Sequence, residues 1–424
     1  MEFFPDFPGP FPISAMYGNI GLYLVAGIIG FGFGYVLEMA GFGNSRKLAA
    51  QFYLYDMTVF KVMFTAILVA MVLIFAAAGL GLVDYNRLYV NPTYLWPGVV
   101  GGLIMGVGFI VGGFCPGTST VGVATLKVDA MFFAMGLFAG IFAFGETIDG
   151  LLSDFWNSSY MGRFTLPELF HAPTGVVVLV IIAAALVMFW VVEQVEGLMG
   201  GEKPNPAHAR YKLIGAGALI AAAVAVLLIG QPTSADKWQR IAAEKQPLLD
   251  NRQVQIHPAE LLDYIENDQV DVVMLDVRNE SDYNLFHIQD AQRVSIDELT
   301  QLVKTLLEKP ANTLFVVMSN DEENATEAWK VLVAESLANV YILDGGINNW
   351  LTTFDIEPDI GSPVAVAMLP TLLPNAPPGD DLLRYDFPAA LGAQYPAAAP
   401  DPHEFEIEYI PKVELQVKQV TGGG

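Results

Sequence analysis

Gly112-Gly113-Phe114-Cys115-Pro116-Gly117-Thr118-Ser119 interrupts an apolar run that begins at Val99. Two glycines loosen the backbone, and Pro116 has no N–H to give to a helix interior, so a helix arriving from Val99 stops here. Beyond the proline, Thr118, Ser119 and Thr120 suit the first turn of a new short helix reaching about Leu126. Irregular backbone at membrane depth persists only where protein or a wet cavity covers it. A helix start in such a place offers free N–H groups and partial positive charge to an anion. The single cysteine of the chain, Cys115, stands at this break. The residues alone leave two readings open: an anion site at Cys115 and the backbone of Gly117, Thr118, Ser119 and Thr120, or a small buried thiol among glycines that serve helix packing.

Composition points the same way. The chain has 424 residues, 53% of them hydrophobic, with a mean hydropathy of +0.44. Residues 1–230 carry 9 basic and 13 acidic side chains, a net of −4, and residues 231–424 carry 12 and 32, a net of −20. A weakly charged membrane half therefore precedes a strongly acidic soluble half. The acidic half argues against nucleic acid and anionic lipid as partners. One cysteine excludes an internal disulfide framework, and the histidines at 171, 208, 257, 287 and 403 show no metal-ligand spacing. With no phosphate loop, dinucleotide fingerprint or haem motif, no cofactor is expected.

Six apolar runs are long enough to span a bilayer: Tyr17–Met39, Thr58–Leu82, Pro97–Val111, Ala130–Glu146, Thr174–Val192 and Leu213–Ile229. Residues 1–16 form an N-terminal segment with four prolines and no basic residue, unlike a signal peptide. Within 17–150 the first four runs make two similar units. A shift of 72 residues lays Gly34 on Gly106, Gly41-Phe42 on Gly113-Phe114 and Gly43 on Cys115. Each unit is a span, a small-residue break, a short helix and a second span; the first short helix opens near Asn44-Ser45-Arg46-Lys47. Paired broken segments of this kind point to a site at the repeat interface. Arg46 and Lys47 are candidate anion contacts, or ordinary cytoplasmic topology charges. Glu38, Lys61, Lys127, Glu146 and Asp149 sit near span ends, where snorkelling to water accounts for them. Residues 151–230 add two spans. Basic residues cluster beside the short helices, which by the positive-inside rule places the N-terminus and the soluble half outside the cytoplasm.

After Gln231-Pro232 the pattern becomes that of a soluble α/β unit over 236–360. Val270–Leu275, Thr313–Met318 and Val340–Leu343 read as buried parallel strands, with helices over Ile296–Leu307 and Glu323–Leu337 between them. Residues 361–424 are rich in Pro and Ala with scattered acids and have no periodicity, so an extended tail is expected there.

Two resemblances follow from these motifs. Leu37-Glu38-Met39-Ala40-Gly41-Phe42-Gly43 and Gly113-Phe114-Cys115-Pro116-Gly117-Thr118-Ser119 resemble the YeeE/YedE sulfur-transport family of polytopic bacterial inner-membrane proteins, whose members import thiosulfate. The resemblance implies that cysteines on the broken helices hand the anion along. Cys115 matches that pattern, whereas the first break carries Gly43 in the corresponding place. Leu275-Asp276-Val277-Arg278, Tyr283, His287-Ile288 and Leu343-Asp344-Gly345-Gly346-Ile347 with Trp350 resemble rhodanese, the thiosulfate sulfurtransferase fold. Rhodaneses carry a persulfide-forming cysteine directly after the central strand. Here that strand delivers Ser319, followed by Asn320, Asp321, Glu322, Glu323 and Asn324. A hydroxyl cannot hold a second sulfur as a persulfide, and three carboxylates oppose a dianionic substrate.

The expectation is therefore a membrane protein that is not an enzyme. It binds or conducts a small sulfur anion, thiosulfate, past Cys115, as a homo-oligomer or with a partner completing the path. The alternative is an accessory subunit of a membrane complex, with the degenerate rhodanese-like domain and the tail as docking modules.

Overall fold

The computed structural model describes residues 9–11, 13–150, 152–199, 206–267, 269–310, 312–354, 396–405 and 407–415. Most of the expected N-terminal segment, and residues 361–395 and 416–424 of the expected tail, lie outside the described residues. The chain divides into two compact units, Met1–Gln231 and Pro232–Gly424.

In the first unit, α1 (Ile13–Met39), α2 (Ser45–Ala50) and α3 (Thr58–Gly79) form one repeat, and α4 (Leu95–Gly112), α5 (Pro116–Ala124) and α6 (Val128–Ile148) the other. Two single-turn helices, α7 (Ser153–Trp156) and α8 (Leu166–Leu169), lead to α9 (Thr174–Leu198) and α10 (Pro206–Ile229). Among the described residues, six helical stretches are long and apolar enough to cross a membrane, with α4 and α5 together making one of them. All six coincide with the runs expected from the sequence.

The repeat is carried by backbone as well as by side chains. Gly41 and Gly113 both turn into the left-handed region at the breaks, with φ of 75° and 69°. Phe42 and Phe114, one residue on, are both fully buried in a single apolar cluster with Leu37, Leu48, Val59, Val121 and Ala130. One core thus closes both breaks. A second cluster joins α3 to α9 and α10 through Leu68, Val72, Val178, Ile182, Ala185, Ala223 and Val226. Residues 151–230, expected as two added spans, therefore pack on the second long helix of the first repeat.

In the second unit, α11 (Ser234–Asp250) starts with a reciprocal cap between Thr233 and Asp236. Then follow β1 (Gln255–Ile256), α12 (Pro258–Ile265), β2 (Val272–Asp276), α13 (Glu280–Leu285), β3 (Gln292–Arg293), α14 (Ile296–Leu306), β4 (Leu314–Met318), α15 (Glu323–Ala334), β5 (Val340–Leu343) and α16 (Gly346–Thr353). The five strands pair parallel throughout in the order β1-β5-β4-β2-β3. Strand β4 lies at the centre, and all five of its residues are buried. That is why it reads as a continuous apolar run. The edge strands β1 and β3 have only two residues each, too few for a periodicity to be seen in advance.

The described tail is held by the chain's own second unit. Trp350 Nε1 donates to Ala397 O at 2.7 Å, and Gln289 N donates to Ala398 O at 2.9 Å. Phe405 packs edge-on to Phe354, with ring centroids 5.1 Å apart. The backbone N–H groups of Lys412 and Val413 both donate to Glu260 Oε1, at 2.7 and 2.8 Å. An extended segment is ordered here because the buried carboxylate of Glu260, the Trp350 indole and the Phe354 ring give its backbone and apolar side chains partners.

Candidate functional site

The second break is built by capping. Cys115 is the residue before α5, and its sulfur accepts the Thr118 N–H at 3.4 Å while Thr118 Oγ1 accepts the Cys115 N–H at 3.0 Å. This reciprocal cap, with Pro116 pre-set at the first helical position, starts α5 at once after the break. The Ser119 hydroxyl donates to Pro116 O at 2.8 Å and the Thr120 hydroxyl to Gly117 O at 2.6 Å. Thr118 and Ser119 are buried, so those two candidate contacts face their own helix turn. Cys115 is half-buried, and the Gly117 N–H is exposed and has no partner among the described residues. The thiol and that N–H are what the break presents.

The first break faces the second. A Cβ on Gly113 would come within 3.0 Å of the Ser45 Cβ, at the start of α2. Ser45 Oγ donates to Asp129 Oδ2 at 2.7 Å, tying α2 to α6. Lys47 folds back and gives its Nζ to Ala40 O at 2.8 Å, neutralising the end of α1. Arg46 is exposed; its backbone N–H donates to the Asn44 cap at 3.1 Å, and its guanidinium has no partner among the described residues. Of the two cations expected to meet an anion, Arg46 is the one left available. Sequence reasoning passed over Glu38 and Lys127 as end-of-span charges. They pair across the repeats, Lys127 Nζ to Glu38 Oε1 at 3.6 Å. The isolated charges themselves were the only signal, and neither specifies a partner 89 residues away.

In the second unit the loop after β4 is closed on itself. Ser319 is buried; its hydroxyl donates to Asp321 O at 2.8 Å and accepts the Ala325 N–H at 3.1 Å. Gly346 (φ 64°) lies against the carbonyls of Ser319, Asn320 and Asp321, and a Cβ there would sit 2.2 to 2.8 Å from all three. The first N–H groups of α16 cap this loop, Ile347 N to Ser319 O at 2.8 Å and Asn348 N to Asn320 O at 3.1 Å. Asn320 bridges Arg278 and Asp282, at 3.1 and 2.7 Å. Glu322 is gripped by Arg252 at 2.6 Å and by the Gly345 N–H at 2.7 Å. The paired carboxylates hold the Arg252 guanidinium above its usual range, the Glu322 hydrogen bond most of all. Arg252, which carries no motif, was missed in the sequence. Asp321 and Glu323 stay at the loop surface.

Residues 40–255, just over half of the chain, match the family model described as Sulphur transport. The chain belongs to the sulphur-transport family. The match runs from the end of α1 through both breaks and on past α9 and α10, so the family region includes the spans that pack on α3. Residues 257–353 of this sulphur-transport protein match the model described as Rhodanese-like domain, the stretch from α12 to the end of α16. Over 92 residues the chain is 28% identical to the thiosulfate sulfurtransferase GlpE of Pseudomonas fluorescens, covering 22% of this chain and 81% of that protein. No solved structure matches the chain. It is a multi-pass membrane protein with a parallel α/β rhodanese-like domain.

Proposed function

We propose that the protein carries a small sulfur anion, thiosulfate, across a bacterial inner membrane past Cys115, and that its rhodanese-like domain transfers no sulfur. The observation that carries the transport reading is the meeting of two broken helices around one buried core, with the chain's one cysteine and the Gly117 N–H, which has no partner among the described residues, at the second break. A thiol is a weak donor to a soft anion, and the α5 N-terminus adds a favourable dipole. The inactivity of the domain is supported by Ser319, which is buried and already paired both as donor and as acceptor. Basic residues beside α2 and α5 support a periplasmic position for the soluble domain. A second chain completes the path in this reading, since the first break carries no thiol.

Full-length protein reconstituted in liposomes is expected to take up radiolabelled thiosulfate. Liposomes that remain empty would reject transport. That same absence of a thiol at Gly43 favours a second reading, an accessory subunit of a larger membrane assembly. It predicts no uptake, together with a stoichiometric partner that co-purifies in mild detergent and is lost when residues 361–424 are deleted. A periplasm-dependent reporter fused after Ile229 tests the topology, and an inactive fusion there would reverse it.

A further inference from the structure

Three lysines near the breaks are held in different ways. Lys61 is committed: its Nζ lies 2.6 Å from Glu196 Oε2, while Glu196 Oε1 also accepts the Met57 N–H at 3.2 Å. Lys47 is committed to the carbonyl of Ala40 at 2.8 Å. Lys127 is not. Its one ion-pair partner among the described residues, Glu38 Oε1, stands at 3.6 Å, and its Nζ makes no hydrogen bond among them. Both side chains are partly open. An ammonium with three donors and one loose carboxylate keeps donors open to a further anion.

The position of the pair matters as much as its looseness. Glu38 belongs to the last turn of α1 and Lys127 directly precedes α6, so the two repeats each contribute one charge. Both side chains reach over Gly43, where an added Cβ would lie 2.7 Å from Glu38 Oε2 and 2.7 Å from Lys127 Nζ. The residue that replaces a thiol at the first break is thus the one that admits an ion pair. A larger residue at position 43 would displace one or both of these flexible charged ends.

We propose that Lys127 binds the sulfur anion at the first break, and that Glu38 holds the ammonium when no anion is present. The proposal rests on the transport reading and deepens it by naming the cation that selects a dianion. Thiosulfate offers two negative charges to an ammonium that has a single distant one. Glu38 then acts as the competitor that keeps binding reversible, because an anion held too tightly would not leave. In this scheme the first break uses a charge where the second uses a thiol.

Equilibrium binding of radiolabelled thiosulfate to the full-length protein in lipid nanodiscs tests the proposal. Glu38→Gln is expected to tighten binding, since the competitor is removed. Lys127→Gln is expected to weaken it by about tenfold to a hundredfold, the size of one hydrogen bond to a charged group. The double variant Glu38→Gln/Lys127→Gln leaves no unpaired charge to unsettle the fold and is expected to bind as weakly as Lys127→Gln. Wild-type affinity in the double variant would overturn the proposal. Wild-type binding that is lost in Lys127→Gln, without uptake into liposomes, would support the site while ending the transport reading. No binding by the wild-type protein would end both.

Discussion

Leu54 and Leu126 stand 72 residues apart and share one rare backbone conformation, with φ of 57° and 58°. Each follows the short helical segment of its repeat: Leu54 ends the turn Gln51–Tyr53 after α2, and Leu126 follows α5. An L-residue in the left-handed region pays a steric cost, yet both units carry it at the same place. The turn it makes returns the chain from the short helix into the second long helix, so the reversal is part of the repeat and not an accident of one copy.

Leu126 is exposed, so its backbone can be tested with little loss of packing. Leu126→Gly is expected to leave stability unchanged or raise it by up to about 1 kcal/mol, because relief of the left-handed strain is offset by the chain entropy of glycine. Leu126→Val is expected to lower it, since a β-branched side chain fits that region poorly. Thermal unfolding of the detergent-solubilised protein checks the order, and a valine variant more stable than the glycine variant would contradict it.

Cys115 has two duties that substitutions can separate. Cys115→Ala removes the cap on Thr118 N–H as well as the thiol, and is expected to cost about 1 kcal/mol of stability. Cys115→Ser keeps an accepting atom at the cap and removes only the sulfur. If the thiol serves the anion, both variants lose thiosulfate uptake while the serine variant keeps normal stability and membrane level. Full uptake by Cys115→Ser would reduce Cys115 to a capping residue.

Ser319→Cys is expected not to create thiosulfate:cyanide sulfurtransferase activity in the full-length protein. The new thiol would be buried, would face the Ala325 N–H, and would share its loop with Asp321 and Glu323 at the surface. A thiolate there is disfavoured by burial and by those carboxylates, so it is a poor nucleophile. Steady turnover by this single variant would show that the loop is closer to working order than its hydrogen bonds imply.

The docked tail should come loose in alkali. Tyr409 hydrogen-bonds Asp263, and burial, then that carboxylate, pushes its hydroxyl far above the ordinary value of 10.0. Burial also raises Tyr341, which accepts the Glu414 N–H at 2.9 Å. A raised folded value means stability that is complete below the unfolded value and lost as pH climbs toward the folded one. Protease cleavage within 396–415 is therefore expected to accelerate only above about pH 10, and Tyr409→Phe should reduce that dependence. Equal cleavage rates at pH 8 and pH 11 would remove the tyrosines from the account.

What was legible in advance was whatever repeats over near neighbours. Apolar runs long enough to span a bilayer placed all six membrane stretches, because the bilayer imposes one length and one polarity on each. The left-handed glycines at 41 and 113 and the phenylalanines beside them could be matched by a shift of 72 residues. The central strands β2, β4 and β5 were visible because both their faces are covered. The unread features all depend on contacts between distant residues. Nothing local says that Glu38 meets Lys127 over Gly43, that Ser45 reaches Asp129, that α9 and α10 pack on α3, or that Glu260 waits for the backbone of Lys412 and Val413. A charge or a proline-rich segment carries the capacity for a partner in its chemistry, but which partner it gets is set by the register of helices and strands that only the packed core determines.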